Sequence, residues 1–197
     1  RMNTEATPEL LKASGADTVI FAIGSEPLMP RAIEGIDSKK AVACTDILLG
    51  KKEAGQKVVI VGGGLVGAEM AYDMGAEGKE VYLVEALDDI CANDPNGVPF
   101  WVRDMLNELL SRNHVEKLMG HRLDRITDKG AVVLDKDGNQ KEIEADDVII
   151  AIGFRARPSI CKELNGCGIE TFDIVAGNGI GSITTQIGAA YEITRKL

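Results

Sequence analysis

The sequence lacks the features of several protein classes. Aromatic residues make up only 4% of the 197 residues, so we expect a mainly aliphatic core. Acidic residues outnumber basic residues by 31 to 22, and the net charge of −9 argues against nucleic acid or an anionic membrane as a partner. No stretch approaches the ~20 consecutive apolar residues of a membrane-spanning helix. The polar opening RMNTEATPEL does not resemble a signal peptide, and we therefore expect a cytoplasmic location.

Cysteine and histidine are also sparse. His114 and His121 have no cysteine or acidic partner at metal-ligand spacing, so surface or packing roles are favoured for both and no metal site is predicted. None of the cysteines stands in a C-x-x-C pair, which argues against a redox dithiol or a zinc ribbon and favours reduced thiols. The four cysteines are Cys44, Cys91, Cys161 and Cys167.

The most informative stretch covers residues 57–85 and has the sequence KVVIVGGGLVGAEMAYDMGAEGKEVYLVE. Apolar runs at its two ends predict strands, and the segment between them predicts a helix that follows a glycine-rich turn. Strand, glycine turn, helix, strand and terminal acid form the arrangement that binds the pyrophosphate of a dinucleotide. The cofactor-binding residues predicted in the turn are Gly62, Gly63, Gly64, Leu65, Val66 and Gly67.

Each glycine of this turn has its own physical role. Gly62 lets the chain turn sharply off the strand, Gly64 lets the backbone approach the pyrophosphate, and Gly67 lets the helix pack closely on the strand. The helix N-terminus adds unpaired N–H groups and the positive end of the helix dipole. Ala71 and Gly75 extend a face of small residues that we expect to lie close to the sheet.

Glu85 is the predicted ribose ligand. It lies 18 residues beyond Gly67, where a carboxylate can accept hydrogen bonds from the adenosine ribose hydroxyls. Ala86 and Leu87 follow it, and no neighbouring Arg or Lys in the sequence can meet a 2′-phosphate. Because a carboxylate also repels that phosphate, the sequence favours NAD(H) over NADP(H).

The segments before this unit have simpler patterns. Residues 1–15 are predicted to form a surface helix with Thr7 or Thr4 as its cap. Residues 17–22 are predicted to form a buried strand, and residues 45–49 a short helix capped by Thr45.

After the unit, residues 100–112 predict an amphipathic helix. Its expected apolar face consists of Val102, Met105, Leu106, Leu109 and Leu110. A short strand is predicted at 115–119, a three-stranded antiparallel meander at 122–126, 131–134 and 141–143, and a buried strand at 146–151.

Two strand ends are near copies of each other. Residues 17–24 (DTVIFAIG) and 146–153 (DDVIIAIG) both end in Ala-Ile-Gly, one before and one after the central unit. Ligands of open α/β sheets bind beyond the carboxyl ends of the strands. We therefore predict that both strand ends contact a cofactor at one crevice, through Ala22, Gly24, Ala151, Ile152 and Gly153.

These motifs resemble the pyridine nucleotide–disulfide oxidoreductase superfamily. The resemblance is carried by VGGGLVGAE (61–69), Glu85, FAIGSEP (21–27) and IIAIGFRARP (149–158). Within that superfamily the sequence is similar to the C-terminal FAD/NAD(P)-binding region of NADH:flavin oxidoreductases, 2,4-dienoyl-CoA reductases and 2-enoate reductases. This resemblance implies that Glu69 matches a helix glutamate that faces the nicotinamide pocket. The alternative for Glu69 is a solvated acid on the helix surface.

The resemblance implies an NAD module inserted into an FAD module. The expected fold is α/β: a Rossmann-like NAD(P)-binding domain with a parallel sheet and an antiparallel β-meander, plus a partial FAD-type domain. The expected ranges are 1–54 for the partial FAD-type domain and connector, 55–150 for the NAD(H)-binding domain, and 151–197 for the return to the FAD-type domain with a C-terminal helix.

The sequence departs from the family pattern in its FAD site. No Gly-x-Gly-x-x-Gly precedes residue 17, although the family's FAD module opens with one. Asn178 stands where the family places a Gly-Asp that contacts flavin; its amide can still bond a hydroxyl. The resemblance also implies a preceding barrel with FMN and an iron–sulfur cluster, for which this chain has no clustered cysteines. We therefore expect an incomplete FAD site and a missing N-terminal barrel and flavin portion as partner.

The predicted function is the NAD(H)-binding portion of a flavin-dependent oxidoreductase, which passes hydride from NADH to FAD in a larger enoate or dienoyl-CoA reductase-like enzyme. The cofactors carry this chemistry, so no catalytic acid or base is predicted. The alternatives are a disulfide or peroxide reductase of the same superfamily, disfavoured because C-x-x-C and C-x4-C are absent, and a non-catalytic nucleotide-sensing module. The oligomeric state stays open, a homo-oligomer included.

Overall fold

The computed structural model describes residues 1–92, 97–175 and 180–197. Contacts within the chain define two compact units, one formed by Arg1–Glu26 with Phe154–Leu197 and the other by Pro27–Gly153. The helices are α1 (Pro8–Ala13), α2 (Cys44–Leu48), α3 (Leu65–Ala76), α4 (Phe100–Arg112) and α5 (Ile183–Thr194), with a 3₁₀ helix at Ile160–Leu164. The strands are β1 (Thr18–Phe21), β2 (Ser25–Pro27), β3 (Ala41–Ala43), β4 (Lys57–Val61), β5 (Glu80–Glu85), β6 (Glu116–Met119), β7 (Arg122–Ile126), β8 (Gly130–Leu134), β9 (Gln140–Glu144), β10 (Asp147–Ile150), β11 (Phe154–Ala156) and β12 (Glu170–Asp173).

A five-stranded parallel sheet forms the centre of the Pro27–Gly153 unit. Its strand order is β3-β10-β4-β5-β6, and every neighbouring pair is parallel. Val58, Val59 and Ile60 on β4 are fully buried, because a parallel sheet of this kind is covered on both faces. Their continuous apolar run is therefore the sequence signature of a two-sided core.

The antiparallel meander β7–β8–β9 covers one face of this sheet. Alternate residues of the sheet strands, such as Val59 and Val61, pack in one buried cluster with Leu123, Val133 and Ile143 of the meander. The predicted meander is confirmed, with an irregularity between Leu123 and Arg125 on β7. The α/β fold class with parallel and antiparallel strands is likewise confirmed.

The connector before β4 belongs to this same unit, whereas the expected boundary groups residues up to 54 with the partial FAD-type domain. Two contacts explain its place. Strand β3 pairs with β10 inside the sheet, and Ile36 is buried in the cluster under the meander. The backbone N–H of Ile126 also donates to the carbonyl oxygen of Glu34 at 2.8 Å.

The other unit contains two small two-stranded sheets, β1 with β12 in parallel and β2 with β11. The predicted N-terminal helix is confirmed as α1, and the hydroxyl of Thr7 accepts a hydrogen bond from the N–H of Leu10 at 3.3 Å. Residues 17–22 were expected to form a buried strand. A strand is present at Thr18–Phe21, but the expected burial is wrong. Only Phe21 of β1 is buried, since a two-stranded sheet covers little of its own surface.

Three finer sequence predictions are wrong. Thr45 does not cap α2, because the helix begins one residue earlier, after Ala43, which has extended backbone and no capping side chain. Met105 is half exposed, because α4 buries only Leu106 and Leu110. Gly75 packs on the segment after α4 rather than on the sheet: a Cβ there would lie 3.1 Å from the carbonyl oxygen of Asn113. Within the described ranges, no helix is both long and apolar enough to cross a membrane.

Candidate functional site

The turn between β4 and α3 can be formed only with glycine at two positions. Gly62 has a φ of +108°, and a Cβ there would lie 2.5 Å from the carbonyl oxygen of Ala151. A Cβ on Gly67 would lie 1.9 Å from the carbonyl oxygen of Gly62. The first turn of α3 therefore packs directly on the strand end that precedes it, and it also lies beside Ala151 of the neighbouring strand.

Gly64 has a different environment. It is the N-cap of α3, with φ −65° and ψ 179°, and a Cβ there would meet no atom within 4 Å. This backbone angle suits any residue, so the glycine is not needed for the turn itself. No side chain caps α3 at this residue, which leaves the N–H groups of the first turn, including those of Leu65 and Val66, for a ligand.

The carboxylate of Glu85 is held against the glycine turn. Its Oε2 accepts a hydrogen bond from the N–H of Gly63 at 2.5 Å, and its Oε1 accepts one from the N–H of Leu87 at 2.8 Å. A Cβ on Gly63 would lie 2.9 Å from the Glu85 side chain. Because a carboxylate has about four acceptor positions, both oxygens keep capacity for hydroxyl donors from a ligand.

Further backbone bonds fix the surroundings of this carboxylate. The N–H of Cys91 donates to the carbonyl oxygen of Gly63 at 2.8 Å, and the N–H of His121 donates to the carbonyl oxygen of Glu85 at 2.9 Å. The glycine turn, the end of β5 and the segment between β6 and β7 are thereby joined. The N–H groups in this region are thus positioned before any ligand binds.

A cavity of about 380 Å³ lies at the carboxyl ends of these strands, within the Pro27–Gly153 unit. This volume is in the range of small-molecule sites, roughly 300–1,000 Å³. Five residues singled out from the sequence line it together: Gly62, Gly64, Glu85, Ala151 and Ile152. Its other lining residues are Ile33, Val61, Val84, Ala86, His121, Arg122, Leu123 and Ile150.

The remaining predicted residues lie elsewhere. Gly153 follows the cavity-lining strand end, has a φ of +110°, and accepts a hydrogen bond from the N–H of Leu28 at 2.9 Å. Ala22 and Gly24 belong to the other unit, where the carbonyl oxygen of Gly24 accepts a bond from the N–H of Arg157 at 3.2 Å. Asn178 lies outside the described residues. A shared crevice for the two Ala-Ile-Gly strand ends thus stays a prediction.

Glu69 does not line this cavity. The residue is on the exposed side of α3. Loss of hydration around its carboxyl group raises its pKa above the ordinary value, and the nearby Asp73 raises that pKa further. This environment fits a helix acid with a neighbouring acid, and its predicted role near nicotinamide stays untested.

Sequence reasoning missed two polar residues of the cavity, His121 and Arg122. The His121 ring is fixed by a 2.8 Å contact between Nδ1 and the carbonyl oxygen of Met119, which requires Nδ1 to carry the proton. Arg122 is exposed. Strand β6 pairs in parallel with β5, with Met119 opposite Glu85. The predicted strand at 115–119 could have revealed both residues, since the carboxyl ends of parallel strands meet at one edge.

Comparison with known proteins agrees with this geometry. The family model for pyridine nucleotide-disulphide oxidoreductases matches residues 5–176. The chain belongs to this family. The resemblance drawn from the glycine turn and the strand ends is therefore confirmed, as is the expectation of an oxidoreductase family with flavin-dependent members.

Individual relatives match all or nearly all of the chain. It is 34% identical to a cinnamate reductase of Clostridium sporogenes over 100% of the chain and 29% of that relative. It is 30% identical to an NADH oxidase of Thermoanaerobacter brockii over 98% of the chain and 30% of that relative. The structure matches that of a 2-naphthoyl-CoA reductase with a TM-score of 0.88 and 29% identity, over 100% of the chain and 29% of that protein. The chain thus spans less than a third of the length of each.

Proposed function

We propose that this chain is the NAD(H)-binding portion of a larger flavin-dependent oxidoreductase, in which hydride passes from NADH to FAD. The observation that carries this proposal is the single cavity that contains Gly64, Glu85 and the strand end at Ala151. Each of these three parts belongs to a different strand end of one parallel sheet. Their convergence matches the requirement for a dinucleotide at the carboxyl edge of such a sheet.

The cavity residues fit a dinucleotide. Open space at Gly64 allows phosphate oxygens to approach the N–H groups that begin α3. A net charge of −9 repels an anion at long range, so these local dipoles have to supply the attraction. Glu85 keeps acceptor positions for the two ribose hydroxyls that NADH presents.

Nicotinamide, when bound, supplies a hydride at its C4 position. The chain contributes binding and orientation: the glycine turn holds the phosphates, Glu85 fixes the ribose, and the strand end at Ala151 and Ile152 borders the cavity. No side chain is assigned as a general acid or base, because hydride transfer between cofactors requires no proton from the protein.

The fit to FAD is weaker. The sequence contains its dinucleotide fingerprint only at residues 62–67, and Asn178 lies outside the described residues. Family membership supports FAD as a cofactor of the whole protein. We therefore assign no flavin contact in this structure; Ala22, Gly24 and Asn178 remain the candidates on this chain.

The substrate of the whole protein belongs to the same proposal. One relative is named a cinnamate reductase and a structural match is named a 2-naphthoyl-CoA reductase. Both names support an unsaturated acid or acyl-CoA thioester as the final electron acceptor. Because the chain spans less than a third of these proteins, we place that acceptor in the portion beyond this chain.

A titration of the purified chain with NADH, together with a flavin absorbance scan, tests the proposal. Saturable NADH binding supports the nucleotide site, and bleaching of bound flavin by NADH supports hydride transfer. If the chain binds NADH without flavin, the same bleaching measured on the full-length protein separates an electron-transfer portion from a sensing module. Absence of saturable NADH binding by the folded chain contradicts the proposal.

A further inference from the structure

We propose that Arg122 gives the nucleotide site affinity for the 2′-phosphate of NADPH, so that the chain discriminates only weakly between NADPH and NADH. This inference rests on the proposed nucleotide site and specifies its selectivity. The sequence around Glu85 favours NADH over NADPH because no cation follows it closely. The fold, however, brings a cation to the same cavity from a distant part of the chain.

Arg122 is held on the Glu85 side of the cavity. The preceding residue, His121, donates its N–H to the carbonyl oxygen of Glu85 at 2.9 Å. The ring of His121 is fixed in turn on the carbonyl oxygen of Met119 at 2.8 Å. These two contacts anchor the residue before β7, and Arg122 lines the same cavity as Glu85, the residue proposed to bind ribose.

The guanidinium of Arg122 is available for a ligand. Within the part of the chain that the structure describes, it forms no ion pair and no hydrogen bond. Other cations of the same region are paired, since Arg125 contacts Asp124 at 2.6 Å and Lys141 contacts Glu116 at 2.8 Å. Arg122 therefore differs from its neighbours in having unused charge at a cavity.

The charge balance of the cavity favours a phosphate at this point. Among its lining residues, Glu85 is an acid, and Arg122 and His121 are basic residues, of which Arg122 carries the guanidinium. The Glu85 carboxylate already accepts bonds from the N–H groups of Gly63 and Leu87, and these dipoles offset part of its negative charge. The guanidinium has no such compensation and presents a planar set of donors that matches phosphate oxygens.

The position of Arg122 also indicates which phosphate of the nucleotide it would contact, the pyrophosphate or the 2′-phosphate. The pyrophosphate is assigned to the N-terminus of α3 at Gly64, whereas Arg122 is tied through His121 to Glu85. A phosphate near Glu85 is one attached to the ribose, which is the group that NADPH has and NADH lacks. Removal of Arg122 should consequently change the affinity for one nucleotide and leave the other nearly unchanged.

Binding titrations with both nucleotides test this inference on three versions of the chain: wild type, Arg122→Gln and Arg125→Gln. We expect Arg122→Gln to raise the Kd for NADPH about tenfold, the effect of losing one charge-assisted hydrogen bond, with less than about twofold change for NADH. Arg125→Gln is the matched control on the same strand, because its guanidinium is already paired with Asp124, and it should change neither Kd. In the wild type, the affinity for NADPH should also fall more steeply with added salt.

Several results would overturn the inference. An equal loss of NADH and NADPH affinity in Arg122→Gln would place the guanidinium on a group common to both nucleotides. Unchanged affinity for both nucleotides would make the Arg122 guanidinium a solvated charge. A wild-type chain that binds NADH but not NADPH would show that Glu85 alone sets the nucleotide selectivity. A folded wild-type chain that binds neither nucleotide would instead contradict the proposed function. Circular dichroism verifies that each variant is folded.

Discussion

The carboxylate of Glu85 accepts a hydrogen bond from the backbone N–H of Gly63 at 2.5 Å. This bond joins the end of β5 to the glycine turn after β4, so the acid and the turn form one unit. A second bond, from the N–H of Leu87, holds the other carboxylate oxygen. Because these groups are ordered before a ligand arrives, binding requires less ordering of the protein.

Glu85 is held by two backbone N–H groups and is also the proposed ribose ligand, and this second role leads to the first prediction. Glu85→Arg should shift selectivity towards NADPH, because it removes the repulsion of the 2′-phosphate and adds a cation. It should also lower the affinity for NADH, since the ribose hydroxyls lose their acceptor. Kd values for both nucleotides measure the ratio, and an unchanged ratio would rule out ribose binding by Glu85.

Gly67 should be intolerant of any side chain. A Cβ there would lie 1.9 Å from the carbonyl oxygen of Gly62, so Gly67→Ala forces the first turn of α3 off the strand end. We expect a loss of about 1–3 kcal/mol in the free energy of unfolding, as for overpacked core positions. Urea unfolding measures it, with Gly64→Ala as control because a Cβ at Gly64 meets no atom within 4 Å. Equal destabilisation by the two variants would refute the close packing.

The buried carboxylate of Asp147 should stabilise the edge between β10 and the connector before β4. Asp147 is 5% exposed, forms an ion pair with Lys52 and accepts a bond from the N–H of Gly55 at 2.8 Å. Asp147→Asn should lower the free energy of unfolding by about 1–3 kcal/mol, because Lys52 loses a charged partner.

The matched control for that variant is Asp46→Asn. Asp46 pairs with Lys51 at 3.4 Å at an exposed site, and such surface pairs contribute roughly 0–1 kcal/mol. Denaturant unfolding of both variants gives the comparison. If Asp46→Asn costs as much as Asp147→Asn, burial does not set the strength of the pair.

Glu69 should make stability depend on pH. Partial loss of hydration and the nearby Asp73 raise its pKa in the folded chain, so the folded state binds the Glu69 proton more tightly than the unfolded state does. The stabilisation from protonated Glu69 is fully present below the ordinary carboxyl pKa, and it is lost as the pH rises through the raised pKa. Glu69→Gln should therefore raise the Tm at pH 7 more than at pH 4. A Tm difference that is the same at both values would contradict the shift.

Local sequence was sufficient for the central unit and insufficient for its neighbours. The strands at 57–61 and 80–85, the turn and the helix were predictable because their signals lie within one short stretch with strict spacing. The same holds for the meander, whose turns and alternating pattern are local. Glu85 could be placed in the site for this reason, from its distance to the glycines alone.

The positions of Arg122 and Met105 depend on contacts between elements, which local sequence spacing does not specify. Arg122 enters the cavity because β6 lies beside β5, a pairing between segments far apart in the sequence. Met105 has the right helical spacing for a buried position, yet α4 fully buries only Leu106 and Leu110 and leaves Met105 half exposed. Thr45 was misassigned because a capping residue is judged from side-chain type, whereas the helix start at Cys44 follows from the preceding strand β3.

The most direct test of the account is an NADH titration of the wild-type chain beside Gly64→Ala, with Gly188→Ala as a control that adds a methyl group at another open position. The account predicts saturable binding to the wild type and to Gly188→Ala. It predicts at least about a tenfold loss of affinity in Gly64→Ala with unchanged thermal stability, because the methyl group occupies the approach of the phosphates to the N–H groups of α3. Equal NADH affinity in all three proteins, or no saturable binding to the folded wild type, would contradict it.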